Sequence, residues 1–339
     1  MSDGPDAPRR WWHRRRPRWA VAVAGIVLVL VPVVAGAVAY LGYGWFGVNV
    51  LLTHGGYVWD DVTPEDRRLS TGMRLALHGR TTPDPPAEVR WRSVGVGLEV
   101  AELDVHVAGQ RVDTLLLTRV DPAHHGFRVL SRPAGDRDVG EWLAATDAVL
   151  VVNGSYFTPR GAPATPLVSD GRTLGPTAYR ADHGAFVVSA AGARLEDLTG
   201  RDWRQVLAGA DQAMVSYPLL LGEDGRGRTA AADPRWLANR SFVGQDGAGR
   251  IVVGTTRDAY FSLPGLAAFL PRAGLDLRLA MNLDGGPIAC QAVSAHGFHR
   301  EFCGSRELAG RGDRLRLLRP LVGSRRAAGL PVVLVVTRR

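Results

Sequence analysis

The chain has 339 residues, 46% of them apolar, with two cysteines and a formal charge of +8, enough for a membrane segment and one large domain. All 41 basic residues are arginine, and six of them, with two aspartates, precede residue 20, so a short tail carries half of the net charge. No basic run occurs beyond that tail, which excludes nucleic acid as a partner. The absence of a glycine-rich phosphate loop, a nucleophile-elbow serine and a His-Glu-x-x-His pair excludes ordinary nucleotide hydrolases, serine hydrolases and zinc proteases.

In chain order, residues 1–18 read as a cytoplasmic arginine-rich tail with interfacial Trp11, Trp12 and Trp19. Residues 19–43 read as a transmembrane anchor: no Asp, Glu or Arg occurs between Arg18 and Asp60, and about 20 apolar residues suffice to cross a bilayer as a helix. The positive-inside rule keeps the tail in the cytoplasm and exports the rest, in a single-pass protein of a bacterial cell envelope. The other reading of the same segment is a cleaved signal peptide, with small-residue cleavage sites at Ala35-Gly36-Ala37 and Ala37-Val38-Ala39. Residues 44–88 read as an extracytoplasmic stalk or linker, glycine-rich at first and proline-rich at Pro83, Pro85 and Pro86, with a short amphipathic helix over 73–77.

Residues 89–339 read as one domain. Alternation predicts strands over 98–107 and 112–120 around an Ala108-Gly109-Gln110 turn. Further strands are predicted over 148–152, 185–188, 213–221, 251–255, 277–283 and 331–336. Helices are predicted over 138–145 and, behind a serine cap, over 262–272. Strands outnumber helices in an irregular order, giving an α+β fold with one mixed central sheet flanked by helices. Cys290 and Cys303 both fall on the exported side, where an oxidising compartment favours a bridge between them. The other use of these cysteines, a metal site with His296 and His299, matches no zinc spacing well, and the sequence implies no metal and no cofactor.

Three strand ends break pattern, each followed by glycine and polar groups, where loops present side chains to ligands. Strand 148–152 delivers Asn153, then Gly154, Ser155, Tyr156 and Phe157; the amide both donates and accepts hydrogen bonds, and the rings are suited to floor a pocket. Asn282 and Asp284 precede Gly285 and Gly286, whose bare backbone admits a ligand, with Asp284 as nucleophile or general base. Arg240 enters a hairpin and presents a planar fork suited to phosphate. Gln212 and Asp258 are polar groups beside other predicted strands, and Asp170 sits in a predicted loop. Asn153-Gly154-Ser155 and Asn239-Arg240-Ser241 also match the glycosylation sequon, a short pattern that recurs by chance.

Taken in this order, these motifs resemble the phosphodiester glycosidase family. The family's asparagine-glycine-glycine-aromatic-phenylalanine turn is similar to residues 153–157, with Ser155 replacing the second glycine. Its glycine-proline loop and Asp-Gly turn are similar to residues 160–163 and 169–171, its stretch ending in serine-aromatic-proline-leucine to 212–219, and its arginine entering a hairpin to 240–244, with Arg240 as that arginine. Its asparagine-leucine-aspartate-glycine-glycine turn is matched in full by 282–286. Where the family continues with glycine or proline and then serine and threonine, this chain has Pro287-Ile288-Ala289-Cys290.

The resemblance covers about residues 98–339 and implies a hydrolase that cleaves a sugar-1-phosphodiester at the anomeric carbon, in an envelope glycan or phosphoglycan. It places Asp284, Arg240 and Asn153 in catalysis. It places Asn282, Gly285, Gly286, Gln212 and Tyr156 around the substrate, with Asp258 or Asp170 as the second carboxylate. The alternative is a non-catalytic glycan- or phosphoglycan-binding or structural domain of the envelope.

Overall fold

A computed structural model describes residues 18–54, 57–179, 183–320 and 328–339; the arginine tail, up to residue 17, lies outside the described residues. The N-terminal helix Arg18–His54 runs further than the predicted anchor and breaks at Gly44, where φ is 66° and ψ −171°. Its stretch Ala22–Gly42 has a mean hydropathy of 2.7 and no burial, so it is long and apolar enough to cross a membrane.

The domain is α+β and strand-rich, but its strands do not form one mixed sheet. Among the described residues they form four sheets, and every pairing is antiparallel. The reason lies in the connections. Ala108-Gly109, Asp170-Gly171 and His296-Gly297 close hairpins with positive φ, and tight turns of this kind join antiparallel neighbours, whereas parallel strands need a crossover of a dozen or more residues.

A seven-stranded sheet organises the rest. Its strands run in the order Leu219–Leu221, Leu277–Asn282, Ser241–Asp246, Ile251–Thr256, Gln110–Val120, Leu98–Val107 and Arg92–Gly95. Leu115, Leu116 and Leu117 explain why Gln110–Val120 reads as a nearly unbroken apolar run. Leu116 packs on one face with Phe127, Leu150, Phe186 and Met281. Leu115 and Leu117 pack on the other with Met73, Phe242 and Phe261, because successive side chains in a strand point to opposite faces. The first of these cores joins the sheet to two five-stranded sheets, one holding Leu150–Asn153, Cys290–Ala295 and Phe298–Cys303, the other Gly184–Ser189 and Gln212–Ser216.

Two predicted elements are split by proline. The strand expected over 213–221 becomes Gln212–Ser216 and Leu219–Leu221, since Pro218 has no N–H for a ladder. The helix expected over 262–272 ends at Phe269 and continues as a 3-10 turn, Leu270–Arg272, containing Pro271. Helix Val139–Ala145 starts as predicted, with a capping box between Asp138 and Glu141.

The segment expected to form the outer part of a stalk is built into the domain. Tyr57–Val62 pairs with Arg314–Pro320. Helix Thr71–Leu77, capped by Ser70, carries Met73 at 0% exposure into the second core. The proline-rich stretch is pinned through Asp84, whose carboxylate accepts from the backbone N–H of Ala108 and Gly109 at 2.9 and 2.8 Å. Met73→Ala is therefore expected to destabilise the domain by about 2–5 kcal/mol, the cost of a large-to-small change in a packed core. A denaturant titration measures this, and an unchanged midpoint would restore the stalk reading.

Candidate active site

Two strand ends from different sheets meet and build the floor of the site. Leu150–Asn153 and Leu277–Asn282 both bury their last residue completely. The Asn153 side-chain amide donates to the Asp284 carbonyl at 2.8 Å, and the Asp284 N–H donates to the Gly154 carbonyl at 3.1 Å. Asn153 Oδ1 accepts from the Cys290 backbone N–H at 3.1 Å. Asn153 is thus spent on holding the 284–290 turn and is not among the residues that line the pocket. Asn282 acts similarly, donating through Nδ2 to the Tyr156 hydroxyl at 2.9 Å.

The pocket has a volume of about 440 Å³, within the range that holds small ligands. Arg240 and Asp284 lie in it with Gly285, Glu307, Trp236 and the ring pair Tyr156 and Tyr217, whose centroids stack 4.3 Å apart. Strand Ser241–Asp246 pairs with Leu277–Asn282 in a register that sets Phe242 opposite Asn282, and this brings Arg240 beside Asp284.

Arg240 is 6% exposed. Its Nη2 donates to the Trp236 carbonyl at 2.7 Å and its Nε to the Phe261 carbonyl at 3.3 Å. Among the described residues its Nη1 has no hydrogen-bond acceptor, and a Cβ on Gly285 would lie 3.3 Å from it. Burial pulls the guanidinium below its ordinary value, opposed by Glu307 and Asp284.

Two carboxyls face this cation. Asp284 is pushed up to about 7, first by burial and then by the charge of Glu307, against the pull of the Gly285 N–H and of Arg240. Glu307 is also raised by burial, against the hydrogen bond from Trp236 Nε1 at 2.8 Å and the charge of Arg240. Gly286, at φ 64°, sits so close to Glu307 that a Cβ there would fall 2.3 Å from Oε2. Asn239 completes the frame: its carbonyl accepts from Gly286 N–H at 2.8 Å, and its Oδ1 accepts from the N–H groups of Ser305 and Arg306 at 3.1 and 3.0 Å. Asn153 and Asn239 are both fully buried, so neither sequon is open to glycosylation in the folded domain.

Several sequence-predicted residues lie elsewhere. Gln212 is buried with its Oε1 accepting from the Val129 N–H at 3.0 Å and its Nε2 donating to Asp170 at 2.8 Å, so it orders a strand end. Asp170 also pairs with Arg128 at 3.1 Å. Asp258 contacts Arg257, Arg111 and Arg306 at 3.4–4.0 Å. Neither carboxylate lines the pocket, whose carboxyls besides Asp284 are Glu307 and Asp233, the latter paired with Arg235 at 3.7 Å. No local pattern marks Glu307 or Trp236 in the sequence, since each reaches the site through a strand pairing distant in the chain. Cys290 and Cys303 form a disulfide, as expected. Among the described residues no group of three or more His, Cys, Asp or Glu side chains is arranged to hold a metal.

Residues 146–306 match the family model of phosphodiester glycosidases. In structure the chain is similar to the catalytic domain, auto-inhibited by its pro-peptide, of the zebrafish N-acetylglucosamine-1-phosphodiester α-N-acetylglucosaminidase. That match has 18% identity over 78% of this chain and 91% of that one, with a TM-score of 0.48. It is also similar to a hypothetical protein of Synechocystis, with 15% identity over 75% and 64% of the two chains and a TM-score of 0.44. A Burkholderia pseudomallei protein described as exported matches with 13% identity over 67% and 75% and a TM-score of 0.40. A comparison with curated proteins gives no match.

The raised value of Asp284 fixes a sign for stability. Between the ordinary carboxylate range and about 7, the folded protein keeps a proton that the unfolded chain has released, so this group makes stability fall as pH rises through that window. Asp284→Asn is expected to unfold at a higher temperature than the wild type at pH 8, with the gap closing below pH ~4. Thermal unfolding of both proteins across this range checks it; a gap that widens toward acid would reverse the assignment.

Proposed function

From the premise that residues 146–306 carry a phosphodiester glycosidase domain, we propose that the protein hydrolyses a sugar-1-phosphodiester, breaking the bond between the anomeric carbon and the phosphate oxygen. The observation that carries the proposal is one buried arginine in a pocket with Asp284 and Glu307, two carboxyls of raised affinity for protons. Arg240 holds the phosphate by charge-assisted hydrogen bonds. The leaving phosphate monoester has a second pKa of about 6, so it departs from the sugar with little help once its charge is met by the guanidinium.

Asp284 serves as nucleophile or general base at the oxocarbenium-like centre, and Glu307 is the second carboxyl of the pair. Two neighbouring carboxyls facing one cation do not ionise together easily, and this separates an acid from a base in one site. Tyr156, Tyr217 and Trp236 supply ring faces for the sugar and exclude water from it. Asn153, Asn239 and Asn282 hold these groups in place. The apolar helix ties the domain to a membrane, with the tail before residue 18 in the cytoplasm and the domain in the bacterial envelope. The substrate is then an envelope glycan or phosphoglycan.

The test is turnover of a synthetic α-sugar-1-phosphodiester by the full chain. Asp284→Asn and Glu307→Gln should each lower kcat by roughly 10²–10⁴-fold, the range for a positioned acid or base. With Asp284 as base, kcat/KM should rise as pH increases through about 7. A rate that instead falls through that pH makes Asp284 the acid. Tight glycan binding without turnover in the wild type supports the non-catalytic alternative.

A further inference from the structure

The two carboxyl-bearing segments leave a single hairpin in opposite directions. Cys290–Ala295 pairs with Phe298–Cys303, and Cys290 stands directly opposite Cys303. The chain that enters this hairpin carries Asp284, and the chain that leaves it carries Glu307. The disulfide therefore closes the open end of the hairpin, at a Cα separation of 4.1 Å, where its strands diverge toward the site. At the other end the His296-Gly297 turn already fixes the register with both residues at positive φ. Strands zipped from a turn fray at the end remote from it, so the bond acts where the ladder is weakest.

Beyond the bond the two segments stay in contact through very little. The Gly304 N–H donates to the Ala289 carbonyl at 2.7 Å. A Cβ on Gly304 would lie 2.2 Å from the Gly286 carbonyl oxygen, so the backbones touch with no side chain between them. The remaining ties run through Asn239, which accepts from Gly286, Ser305 and Arg306, and through the close approach of Gly286 to the Glu307 carboxyl. Cys290 also donates its N–H to Asn153, the residue that holds Asp284. A shift of the hairpin mouth thus reaches both carboxyls.

We propose that the Cys290–Cys303 disulfide is a positioning clamp, which sets the separation of Asp284 and Glu307 across Arg240 and makes the site sensitive to thiol reductants. The clamp acts on the carboxyls proposed above to react; Cys290 and Cys303 touch no substrate. Cys303 is half-buried, so a small dithiol has a path to the bond. Dithiothreitol supplies the two electrons and two protons that convert the S–S bond to two thiols, and itself closes to a cyclic disulfide. The charged and titratable groups around Asp284 are Arg240, Glu307 from the exit segment, Asp233 on the pocket wall, and Tyr156 and Tyr217; of these Glu307 is tethered through the bond, besides its own strand pairing with Ala238 and Leu318.

The experiment uses the full chain in oxidised and dithiothreitol-reduced forms, with the Cys290→Ala/Cys303→Ala double variant beside them. Its first readout needs no substrate: the pH-dependent gap in unfolding temperature between the wild type and Asp284→Asn. Reduction is expected to leave unfolding cooperative, to shrink that gap at pH 8 and to shift its onset by about one pH unit. Reoxidation should restore the gap in the wild type and have no effect in the double variant. The second readout is turnover, where kcat should fall about 10²-fold, as for a reacting group displaced by about 1 Å.

If the glycosidase activity is absent altogether, the unfolding gap still reports on the clamp. An unchanged gap after reduction overturns the proposal. So does loss of cooperative unfolding on reduction, which would make the bond a staple of the whole fold.

Discussion

Arg240 is 6% exposed, and a guanidinium in such a place is tolerable only where carbonyls satisfy its donors and opposite charge offsets its desolvation. The carbonyls are those of Trp236 and Phe261, and the charge comes from Asp284 and Glu307. These requirements reach far into the fold. The first carboxyl must arrive from the end of Leu277–Asn282 and the second from the start of Glu307–Arg311, strands of different sheets. Trp236 then serves twice, through its carbonyl to Arg240 and its indole N–H to Glu307. An uncompensated buried charge would cost several kcal/mol, so the sheets are held to the one arrangement that satisfies it.

The asparagines are the means by which that arrangement is fixed. Side-chain amides combine donor and acceptor in one short group, and each here adds bonds beyond the ends of the strand ladders. Asn153 bridges two sheets, Asn239 joins the Gly286 turn to Ser305 and Arg306, and Asn282 steadies the Tyr156 hydroxyl. They are buried residues at the candidate site, and their bonds account for their place at strand ends in the sequence. The disulfide adds a covalent link at the point where hydrogen bonding between the two arms is thinnest.

Legibility from sequence followed the locality of the signal. The Asp284-Gly285-Gly286 turn, the Asn153 strand end and Arg240 at a hairpin entrance are each written within a few residues, and all three proved to be neighbours. Asp258 and Asp170 looked equally suitable as second carboxyls, because a strand-end aspartate looks alike whether it faces a pocket or an arginine. In the fold both are occupied by arginines, and Glu307, in a strand with no distinctive motif, takes the place beside Arg240. The single mixed sheet failed for a related reason: alternation marks strands but not their partners, and the described strands pair antiparallel both across short turns and between segments far apart in the chain.

By itself the sequence determined that an apolar segment precedes a domain and that strands dominate that domain; the grouping of Asp284, Arg240 and Asn153 was what the family resemblance implied. Composition and short-range periodicity suffice for the first two, since they depend on the cost of charge in hydrocarbon and on which backbone shapes glycine and proline permit. The tertiary structure alone decided that residues 57–86 join the domain, that Glu307 and Trp236 complete the pocket, and that Gln212, Asp170 and Asp258 stand outside it. Those outcomes rest on pairings such as Tyr57 with Pro320 and Leu237 with Leu308, contacts between residues far apart in the chain. Burial, and with it the raised proton affinity of Asp284, exists only once such contacts have removed the water.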